Sequence, residues 1–117
     1  MKIILYLILV FFLFSCSSEI KRTEKPDDLL SEDKMVVVLK DLSILESHIR
    51  MKYPMTAQNH KTMIKSADLI FKKHEIDSVK FNEAMDYYGA HQDIMQEINT
   101  RVLESVNREL TEISAKK

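Results

Sequence analysis

The chain has 117 residues, 17 Lys+Arg against 18 Asp+Glu, two Pro, one Gly, one Cys and no Trp. One domain fits in that length; a single Cys rules out a disulfide framework or a Cys-rich zinc site, and a single Gly rules out a GxGxxG or Walker-type phosphate loop. So few turn residues speak against a β-sandwich, and a net charge of −1 offers no electrostatic case for nucleic-acid binding.

Residues 1–15 read as an export signal. Met1-Lys2 gives a positive start, and Ile3 to Phe14 is an unbroken apolar run of twelve residues. A bilayer-spanning helix needs roughly 20, so the run has the length of a signal-peptide core. It ends in Leu13-Phe14-Ser15-Cys16, and Leu at −3, Ser at −1 and Cys at +1 resemble the lipobox of bacterial lipoproteins. That resemblance implies cleavage before Cys16 and acylation of its thiol and new amine. Each buried lipid methylene contributes about 0.8 kcal/mol, so several chains make a near-permanent anchor to the membrane. Ser17 and Ser18, with no Asp after the Cys, resemble the sorting pattern of outer-membrane lipoproteins and point to the periplasmic face. Residues 16–30, largely polar and without periodicity, are expected to be the lipidated Cys and a flexible tether.

From residue 31 the pattern is helical. Ser31 is a good N-cap, and Glu32 and Asp33 suit the positive end of a helix dipole. Met35, Val38, Leu39, Leu42, Leu45 and Ile49 mark one buried face of the first helix. Val37, Ile44 and Met51, seven apart, form a second stripe, which predicts a central helix packed on two sides or, failing that, a face covered by a partner protein. Tyr53-Pro54 ends this helix. A second helix is expected over about 58–73, with Met63, Ile64, Ala67, Ile70 and Phe71 inward. His74 to Asp77 forms a turn in which Asp77 caps a short third helix of about 78–88, carrying Phe81, Ala84, Met85 and Tyr88. Gly89 is expected to end it in left-handed cap geometry. The fourth helix runs from His91 or Gln92 to near Ser114 on a stripe of Ile94, Met95, Ile98, Val102, Val106, Leu110 and Ile113. The expected fold is all-α: a small bundle of three to four helices over 31–114, with 115–117 as a tail.

These features, in order, carry a family resemblance. Asp33-Lys34-Met35-Val36 and Leu39-Lys40-Asp41-Leu42 are followed by Ile70-Phe71-Lys72-Lys73-His74-Glu75-Ile76, Phe81 to Tyr87-Tyr88, and Met95-Gln96-Glu97-Ile98 through to Leu110. From Pro26 to about Leu110 the chain resembles the DUF4296 family, small lipoproteins of Bacteroidota. Members often carry Pro at the start of the last helix, where this chain has His91-Gln92. The resemblance implies a fold and a compartment; the family has no assigned activity, so it implies no catalytic residues.

Candidate chemistry is sparse. None of His48, His60, His74 and His91 stands at i, i+4 from another, and no HExxH or CxxCH occurs, so no metal site is expected. The only thiol is assigned to lipid, and no Ser–His–acid spacing suggests a triad; an enzyme is not expected. Met35, Met51, Met55, Met63, Met85 and Met95 read mainly as packing residues, and no pattern calls for a cofactor. Tyr88 falls on the Phe81 face; Tyr87 is either a contact residue for a partner or, with Tyr88, an anchor for the corner between helices three and four. The leading functional expectation is a lipid-anchored, helical interaction or accessory module of the cell envelope, with a protein partner, and with Tyr87, Val37, Ile44 and Met51 as contact candidates. The alternative is a carrier of lipid, haem or metal, which requires an apolar cavity between helices one and four.

Overall fold

The computed structural model describes residue 1, residues 24–54 and residues 56–116, with backbone alone at 56–58. The expected signal, Cys16 and tether residues 17–23 lie outside the described residues. Among the described residues there are four helices and no strand: α1 Glu32–Lys52, α2 Thr56–Lys73, α3 Ser78–Ala90 and α4 Gln92–Ala115.

Each start follows from a local rule. Ser31 Oγ accepts from Lys34 N–H at 3.2 Å, and Glu32 and Asp33 occupy the first turn of α1. Asp77 Oδ1 accepts from Lys80 N–H at 2.8 Å and opens α3. The corner between α3 and α4 departs from expectation. Gly89 lies inside α3 with negative φ, and the helix runs on to Ala90. His91 breaks it instead: its backbone N–H donates to Tyr88 O at 3.0 Å, and its Nδ1–H donates to Tyr87 O at 2.7 Å. His91 offers α4 no side-chain cap.

The left-handed residue is elsewhere. Glu75 has φ of 55°, the one positive-φ position among the described non-glycine residues. Glu75 N–H donates to Lys72 O and Ile76 N–H to Phe71 O, a Schellman closure of α2 with Glu at the usual Gly site.

The helix α1 is central. It packs against α2 on one side and α4 on the other, while α3 leans on α4. Arg101 reaches Asp33, and Lys40 reaches Glu109 at 2.8 Å; these pairs advance together along both helices, so α1 and α4 run parallel. Met35, Val38 and Ile98 are fully buried, each contributing roughly 1.5–3 kcal/mol. Met35 and Ile98 share one cluster with Val36, Ala84, Tyr88 and Val102, which joins the N-terminal end of α1 to α3 and α4.

Three further expectations are corrected. Leu29 and Leu30 pack against the core, Tyr88 Oη–H donates to Leu30 O at 2.7 Å, and Lys80 pairs with Asp28, so residues 28–30 are part of the domain rather than free tether. Ile64, expected inward, is exposed, because over most of its length α2 has only α1 beside it and one neighbour covers a narrow stripe. The second stripe of α1 is not covered by packing on two sides: Val37, Ile44 and Met51 are all exposed.

Candidate functional site

Val37, Ile44 and Met51 lie on one line of α1, with Met51 81% exposed at its end. Tyr87 is not part of that line. Its ring meets Tyr88 edge-on at 5.3 Å and stacks 4.3 Å from His91, the contacts of the corner-anchoring alternative. Burial, and then the charge of Glu32, push the Tyr88 phenol above its ordinary range and keep it a hydrogen-bond donor.

A second apolar surface lies on α4. The predicted stripe divides: Ile98 and Val102 are buried, whereas Leu110 (57%) and Ile113 (52%) are exposed. Leu103, absent from the predicted stripe, is 65% exposed and stands seven residues before Leu110. With Val106, half-buried and itself packed against the core cluster, the spacing 103, 106, 110, 113 follows an a/d pattern along the edge of that contact. That repeat was legible in the sequence; the competing 3/4 line through Ile94 and Ile98 masked it.

Between α1 and α4 lies an open depression of about 410 Å³, lined by Lys40, Ser105, Arg108, Glu109, Glu112, Ile113 and Lys116. Its walls are charged, unlike the apolar cavity a lipid or haem carrier needs. Lys40 pairs with Glu109, and that hydrogen bond holds its ammonium pKa up. On the other side of α1, Asp41 accepts from His74 Nε2–H at 2.9 Å and from Lys73 at 2.8 Å. Burial raises the Asp41 pKa, but the bonds from Lys73 and His74 and the charge of Lys40 outweigh it and hold the carboxyl below its ordinary value. Glu109, Lys40, Asp41 and His74 thus strap α4 to α1 to α2, a structural arrangement that sequence reading did not anticipate because its members are 33 and 69 residues apart. Among the described residues, no three of His, Cys, Asp and Glu converge to hold a metal ion. His48 and His60 are exposed.

The model of Domain of unknown function (DUF4296) matches residues 26–112, from the docked lead-in through most of α4. The chain belongs to this family. The match starts at Pro26, in agreement with the packed Leu29 and Leu30 rather than with a boundary at residue 31. No curated protein and no solved structure matches the chain. Among the described residues, no helix of this family member is long and apolar enough to cross a membrane.

Proposed function

We propose that this protein is a lipid-anchored interaction module of the bacterial cell envelope, held by acyl chains on Cys16 at the periplasmic face of the outer membrane, whose helical domain docks a protein partner. The observation that carries the docking role is the α4 seam of Leu103, Val106, Leu110 and Ile113, three of them more than half exposed. A contiguous apolar line is a helix-docking surface, whereas scattered exposed side chains are ordinary. Val37 and Ile44 offer a second line on α1. The anchor rests on the Leu13-Phe14-Ser15-Cys16 motif behind its apolar run.

Two measurements test the two halves. Intact mass of the native protein gives a triacylated Cys16 with the leader removed; an intact leader or a free thiol defeats the anchor. Crosslinking in gently solubilised envelopes recovers one partner in near-stoichiometric amount. The pair Leu103→Ala and Leu110→Ala lowers that recovery by at least about tenfold, since two anchor side chains at a helix seam contribute roughly 1–2 kcal/mol each. Recovery unaffected by the pair, or recovery of this chain alone, defeats the docking role.

A further inference from the structure

We draw no further inference here: the strongest candidate, the exposed apolar edge of α4 formed by Leu103, Leu110 and Ile113, belongs to the docking surface already described, and nothing in the structure shows what covers it.

Discussion

Glu75 adopts φ of 55°, a left-handed conformation that costs an L-residue roughly 1–2 kcal/mol. Fourteen positions on, the chain's one glycine sits in ordinary right-handed helix, and a methyl group built on Gly89 meets no atom within 4 Å. Each residue occupies the other's better place. Exchanging them singly has a defined sign. Gly89→Ala is expected to stabilise by about 0.5–1 kcal/mol, because helix propensity rises and no contact is lost. Glu75→Gly relieves the left-handed strain but adds unfolded-state entropy, for a net gain of about 0.5 kcal/mol. Urea midpoints at constant slope measure both; a loss of stability in Gly89→Ala shows that residue 89 is not helical. A glycine after a helical stripe is an ordinary cap signal, and it misplaced this one because the left-handed turn is closed by backbone bonds from Glu75 and Ile76, which no side-chain type advertises.

At the scale of elements, the helices were legible because their caps and stripes are local: Ser31, Asp77 and the 3/4 lines of α1 and α3 stand in the chain as they stand in the fold. The lead-in was not. Leu29 and Leu30 have no periodicity of their own and become ordered only by packing against the core under α3. The bond from Tyr88 Oη–H to Leu30 O joins positions 58 apart, which propensity cannot see. Tyr88→Phe keeps the ring in the core and removes this bond alone. It is expected to cost about 1 kcal/mol and to raise amide-exchange rates at residues 29–31 with little change in α4. Unchanged exchange there shows that packing of the two leucines suffices. The candidate site was half legible: Val37, Ile44 and Met51 are exposed on one line, Tyr87 turned to the corner, and the α4 seam emerged only once Ile98 and Val102 were seen to take the contacts with neighbours. Which side of an apolar helix stays uncovered depends on the number of its neighbours, a property of topology rather than of the helix.

Over the whole molecule, α1 is held between its neighbours by few fully buried side chains, so the polar strap through Asp41 has weight in the balance. The Asp41 side chain is 14% exposed and accepts from His74 and Lys73, with Lys40 3.5 Å away. Burial acts to raise its pKa; the hydrogen bonds and positive charges prevail and lower it. The unfolded chain's aspartates titrate near 3.9. With the folded pKa below the unfolded one, the unfolded state binds the proton first on acidification. The stabilisation is therefore complete above about pH 5, begins to fade near the unfolded value, and is lost as pH falls through the folded pKa. Asp41→Asn removes the charge at every pH. At pH 7 the variant is expected to be less stable by about 1–3 kcal/mol, the range for hydrogen bonds to a charged group. Below pH 4 the difference shrinks, so the stability curve of the variant is flatter than that of the parent between pH 5 and 3. Guanidinium or urea melts at unit pH intervals measure both curves. Parallel curves, with a constant gap down to pH 3, show that Asp41 acts by shape rather than by charge, and that α1 owes its place between α2 and α4 to apolar packing alone.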